Sequence, residues 1–126
     1  MKKIGLVLLA ATMATGAAFA RAGTAAKSSG KIETLSGELV DMACYLGHGA
    51  KGPKHAECAK MCVLKDGAPL GVLTKAGKLY LVVADHANEA PYASAKELAG
   101  TDAKVTGRVV LSGGLPAIIV DKIAKE

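Results

Sequence analysis

Tryptophan is absent from the 126-residue chain, and the aromatic side chains number four: Phe19, Tyr45, Tyr80 and Tyr92. Proteins that hold single-stranded nucleic acid stack bases on aromatic platforms. Three scattered tyrosines beyond position 19 argue against that role. No apolar run reaches the roughly 20 residues that a membrane-spanning helix needs. Cysteine is scarce and odd in number, at three, so any disulfide leaves one thiol over. No C-x2-C pair occurs, which disfavours thioredoxin-like chemistry, and no C-x2-C-H occurs for covalent haem attachment. A four-cysteine iron–sulfur cluster is excluded by count, leaving a Cys3His set as its nearest form. There is no internal repeat.

What is present begins with an address. Met1-Lys2-Lys3 is a short basic start, Ile4 to Ala14 is apolar, and Ala18-Phe19-Ala20 is a small-x-small cleavage site. That order predicts a secretory signal peptide over residues 1–20. Cleavage after Ala20 leaves no stable membrane anchor, because no cysteine follows the apolar run to carry a lipid. The expected location is periplasmic or secreted. Lys2 and Lys3 leave with the signal, which takes the formal charge from +5 to about +3. This mild basicity suits a solvated surface and does not point to nucleic acid.

Residues 21–31 are small and polar, a flexible lead with little to bury. One domain is then expected over 32–126. A domain of this size has a modest core and gains from a staple, either disulfide or metal. Thr34 to Ala43 alternates as a strand bent near Gly37, and Tyr45 to Pro53 is a glycine-rich loop. Lys54 to Leu64 contains no breaker and predicts a helix ended by Asp66-Gly67. Leu70–Thr74 and Leu79–Ala84 form a hairpin, the second run being the most apolar and so expected to be central. A short helix is expected around Ser94–Leu98, with Ser94 and Glu97 as a capping box. Ala103–Leu111 and Pro116–Ile123 are the last two strands, joined through Ser112-Gly113-Gly114. On the final strand, alternation sets Ala117, Ile119, Asp121 and Ile123 against Ile118, Val120 and Lys122.

The fold class expected from this order is mainly β. It is a small five-stranded OB-fold-like Greek-key barrel, with a short helix after strand 1 and another between strands 3 and 4.

All three cysteines and two of three histidines fall between Met42 and Val63. They read C-x3-H-x6-H-x2-C-x3-C: Cys44, His48, His55, Cys58 and Cys62. On a helix, His55, Cys58 and Cys62 stack on one face. The glycine-rich loop can fold back and bring Cys44, at the end of strand 1, over that face. His48 is a fifth candidate donor. Thiolate and imidazole suit copper(I) or zinc, with iron less favoured, and suit calcium or magnesium poorly. Met42 and Met61 flank the cysteines and tilt the choice slightly to copper(I). Met61, about 100° round the helix from Cys62, reads rather as packing. Asp41 and Glu57 lie close enough to orient a ligating histidine, although Glu57 also reads as a solvated helix charge. His86 reads as a loop residue.

The alternative is a Cys44–Cys62 disulfide tying strand 1 to the helix, since exported thiols meet an oxidising compartment. A Cys58–Cys62 bridge would span one helical turn and constrain little. The stapled domain would then be a module that binds a protein or small ligand. Thiol or iron redox chemistry is the third possibility.

The run Leu98 to Val110, with Gly113-Gly114 and Ile118 to Ile123, resembles the closing strand pair of exported bacterial OB-like domains. The motif Asp41-Met42-Ala43-Cys44-Tyr45, with His55, Cys58-Ala59 and Cys62, is similar to a family of small exported bacterial OB-fold-like proteins with a Cys/His cluster. The resemblance spans Glu33 to Ile123. It implies the barrel and the exported address. The expected role is binding, delivery or sensing of one copper or zinc ion, without catalytic turnover, together with a protein partner in the periplasm.

Overall fold

A computed structural model describes residues 30–126 of the chain. The expected signal peptide, 1–20, and the expected lead up to residue 29 lie outside the described residues. Strand β1 runs over Lys31–Asp41, so Lys31 is strand and not lead. Helix α1 follows at once over Met42–His48, and a 3-10 turn over Pro53–His55 leads into α2, Ala56–Leu64. Strands β2 (Leu70–Thr74) and β3 (Leu79–Val83) precede α3 (Ala90–Glu97). Strands β4 (Asp102–Ser112) and β5 (Leu115–Lys125) complete the domain.

The fold is mainly β, and its five strands close into an OB-fold-like barrel in the order β1-β2-β3-β5-β4. Every pairing is antiparallel except β3 with β5. Closure depends on β1, which is long enough to serve two neighbours. Residues 31–38 pair with β4 and residues 37–41 with β2. Gly37 and Glu38 belong to both ladders, which places the change of partner at the bend predicted there. Closing the sheet removes its open edges.

The core inside the barrel comprises Leu39, Leu70, Val72, Val82, Val105, Ile118 and Val120, joined from outside the sheet by Val63 of α2 and Ala95 of α3. Helix α2 is therefore packed on the core through Val63, and this fixes where its other faces point. Among the described residues, no helix is long and apolar enough to cross a membrane.

Several local expectations are revised. Met42–His48 is helix, where strand end and loop were expected. The Asp41 side chain accepts from the backbone N–H of Ala43 and Cys44, and Gly49, at φ 68°, closes the helix by donating to Tyr45 O. Those two caps satisfy groups that a helix this short would otherwise leave bare.

Helix α3 starts at Ala90, so Ser94 lies in its interior and forms no capping box; Pro91 in the first turn sets the start. Strand β3 is less buried than β2 despite its apolar sequence, with only Val82 fully inside. In a closed barrel no strand is central, and the alternate residues of β3 face outward. On β5, Ile118 and Val120 face the core, and a register shift opposite Thr106/Gly107 re-phases the strand so that Ile123 pairs with Val105 and also turns inward. A bulge inserts one residue and breaks the two-residue alternation.

The β4–β5 hairpin turns on Gly113 and Gly114, at φ 57° and 81°. Two consecutive positive φ values make a primed turn whose twist matches the strands. Space around Gly114 is open, so Gly114→Ala meets only the backbone penalty. It is expected to destabilise the fold by about 1–2 kcal/mol, read as a lowered urea midpoint with an unchanged m-value.

Candidate metal centre

Asp41 is the last residue of β1 and the N-cap of α1. It is 1% exposed. Its Oδ1 accepts from Ala43 N–H at 2.9 Å and from Cys44 N–H at 3.4 Å. The cap sets the direction of α1 and places Cys44 in the first turn. From there the chain returns through the glycine loop. Glu38 Oε1 accepts from Gly52 N–H at 2.6 Å, and His55 N–H donates to Gly52 O at 2.9 Å. These bonds fix the 3-10 turn that delivers His55 to the start of α2.

Helix α2 is seated by Ala59 and Val63, both buried. Cys58 and Cys62 each precede one of these, so they lie about 100° round the helix from the core face. Their Sγ atoms are 3.9 Å apart. Cys44 reaches this face from α1. Its Sγ, a ring nitrogen of His55 and Cys58 Sγ lie within 4.8 Å of one another; so do Cys44 Sγ, an Asp41 carboxylate oxygen and Cys62 Sγ. The two groups share Cys44. The first opens to solvent at Cys58, and the second is backed by buried Asp41. All three thiols are free.

Two donor atoms here are left without partners. Asp41 Oδ2 and His55 Nε2 are buried and have no hydrogen-bond partner; among the described residues the other such side-chain atom, Arg108 Nε, lies on β4. Buried polar groups are ordinarily satisfied, and an exception asks for a cause. Both unpartnered atoms belong to residues that also offer a ligand atom to the cysteine groups.

The electrostatics fit the same description. Burial by itself would raise the Asp41 carboxyl, but the nearby Cys44 thiol and the backbone N–H groups of Ala43 and Cys44 outweigh it and hold the carboxyl below its usual range. The proximity of Asp41 to the Cys44 thiol, then burial, raises Cys44. Cys62 is pushed up to about 12, first by burial, then by Cys58, then by the Asp41 charge. The negative charge of Asp41 therefore holds protons on the thiols around it. A bound cation would reverse that balance, since metal ligation requires thiolates and releases their protons.

The remaining expected residues fall as follows. His48 is exposed in the last turn of α1 and belongs to neither group. Glu57 and His86 are exposed. Met61, read from sequence as packing, is 47% exposed, because it lies on the far side of α2 from Ala59 and Val63. Met42 does pack, against Gly71. Asp41, expected to orient a ligating histidine, instead has a carboxylate oxygen within 4.8 Å of the Cys44 and Cys62 sulfurs. The signal for it was present: an aspartate directly before Met42-Ala43-Cys44-Tyr45-Leu46, with Gly49 as terminator, is a capped helix.

Comparison with family models, with curated proteins and with solved structures finds no match.

Proposed function

We propose that this is an exported metal-binding protein of the small bacterial OB-fold-like family its motif resembles, acting in the periplasm or outside the cell. It holds copper(I) or zinc through Cys44, Cys58, Cys62 and His55. The observation that carries the reading is the meeting of three thiols from two separate helices with a ring nitrogen of His55, a residue whose Nε2 is buried and unpartnered. Sulfur and imidazole donors select soft and borderline ions. Exposure of Cys58 gives an ion, or a partner protein exchanging one, a route in by ligand replacement. Binding, delivery or sensing follows from such a site. A structural ion would in addition stabilise the domain by on the order of 10 kcal/mol.

The test is elemental analysis and thiol counting on protein purified from its native compartment. Copper or zinc at one equivalent or more is expected, with three thiols titrating after the metal is stripped. Cys58→Ser is expected to lower the metal content. One free thiol with no metal would overturn the reading in favour of a Cys44–Cys62 disulfide and a stapled binding module.

A further inference from the structure

The donors form two overlapping triads, and each triad has one residue with an orphaned atom. Cys44, His55 and Cys58 form the outer triad; Asp41, Cys44 and Cys62 form the inner one. His55 of the outer set has a buried, unpartnered Nε2, and Asp41 of the inner set a buried, unpartnered Oδ2. An ion held by the outer triad leaves the inner carboxylate oxygen buried and unpaired, and the converse holds for an ion in the inner triad. We infer that the cluster is a two-ion centre, with the Cys44 thiolate bridging an outer and an inner divalent ion of the zinc class. This rests on the metal-binding reading above and goes beyond its single ion.

Charge points the same way. With its thiols deprotonated, the set of three cysteines and one aspartate carries four negative charges, His55 being neutral. Two divalent ions neutralise that set. One divalent ion takes only the thiolates that ligate it, the remaining thiol keeping its proton, and so leaves one triad and its buried atom without a cation. Two copper(I) ions leave two negative charges of the deprotonated set uncompensated. The inner oxygen donor also suits a borderline ion such as zinc better than a soft one. Each ion receives three protein ligands, so a fourth, open position remains at each for water or an exchanging ligand. Loading converts three thiols to thiolates and releases three protons, with no change of oxidation state.

Asp41 thereby has two roles on two oxygens. Oδ1 holds the N-terminus of α1, and Oδ2, which has no protein partner, is the oxygen left for the inner ion. A purely structural cap needs only the first. Asp41→Asn keeps the side-chain volume and one carbonyl oxygen for the cap while removing the anionic donor.

The experiment is a zinc titration of the reduced, metal-free protein against a chromophoric zinc chelator, with native mass spectrometry of the loaded forms. Wild type is expected to saturate at two zinc ions, Asp41→Asn at one and His55→Gln at one, with His48→Ala still at two. Cys62→Ser, which leaves the cap untouched, is expected to give one and keeps the test valid if Asp41→Asn fails to fold. Wild type saturating at one zinc overturns the two-ion centre and leaves the metal-binding reading standing. A second zinc that survives both Asp41→Asn and Cys62→Ser also overturns it. No zinc binding overturns it as well, and a parallel copper(I) titration then decides whether the single-ion reading survives.

Discussion

Replacing Cys44 by serine is expected to weaken metal binding more than any other single change at the centre. Cys44 is the one residue common to both donor groups, so its loss removes a ligand from each. Disturbing a group that merely hydrogen-bonds to a metal ligand costs roughly 10–100-fold in affinity; loss of a shared sulfur is expected to exceed about a hundredfold. The fold should be indifferent. Cys44 is only partly buried in the first turn of α1, and serine is nearly isosteric there. Chelator competition should therefore show the drop, while the metal-free variant unfolds at the wild-type urea concentration. His48→Ala is the matched control and should bind as wild type does. The reverse pattern, with Cys44→Ser retaining affinity and His48→Ala losing it, would move the site to the exposed end of α1 and dismiss the thiol cluster.

Gly100→Ala is expected to be strongly destabilising, and to damage the metal centre from a distance. Gly100 is buried at φ 81°, donates its N–H to Leu39 O at 2.7 Å, and sits against the start of α2. A Cβ built there would stand 2.5 Å from Ala56 Cα and 2.6 Å from Ala56 O. Both atoms are backbone, so neither can swing aside. The left-handed backbone costs about 1–2 kcal/mol for a residue with a side chain, and forced displacement of packed structure adds about 1–3 kcal/mol. A total loss of roughly 2–5 kcal/mol is a large share of a small domain's stability. The shift falls on the first residue of the helix that carries Cys58 and Cys62. Metal affinity should fall with stability, although no ligand has been touched. An unfolding midpoint equal to wild type would show that α2 is not held against this loop.

The glycine at position 100 belongs to a wider pattern in what could be read from the chain. Strand β2 was legible to the residue, because alternate and continuous apolar runs report on neighbours two positions away. The hairpins and α2 were legible for the same local reason, as was the nearness of Cys58 and Cys62 one turn apart; His55 stands in the 3-10 turn before α2 and groups with Cys58 and not with Cys62. Helix α1 was missed, because glycines at 47, 49 and 52 outweighed a cap whose strength depends on Asp41 being buried. The start of α3 was set late, since Ser94 offered a cap that Pro91 pre-empted. The phase of β5 could not be read because its register shift is decided by pairing with β4. Met61 was assigned to packing, and only the seating of α2 on Ala59 and Val63 turns it to solvent.

By itself, then, the amino-acid order determined the kinds of element, the barrel class and the inventory of soft donors, all properties of residues within a turn or two of one another. Tertiary structure decided that Cys44 meets Cys58 and Cys62, that His48 does not join them, and that Asp41 does. The reason is closure. One long strand shared between two neighbours sets where β1 ends, the core face of α2 sets where its sulfurs point, and the donors converge only because both constraints hold in the same barrel.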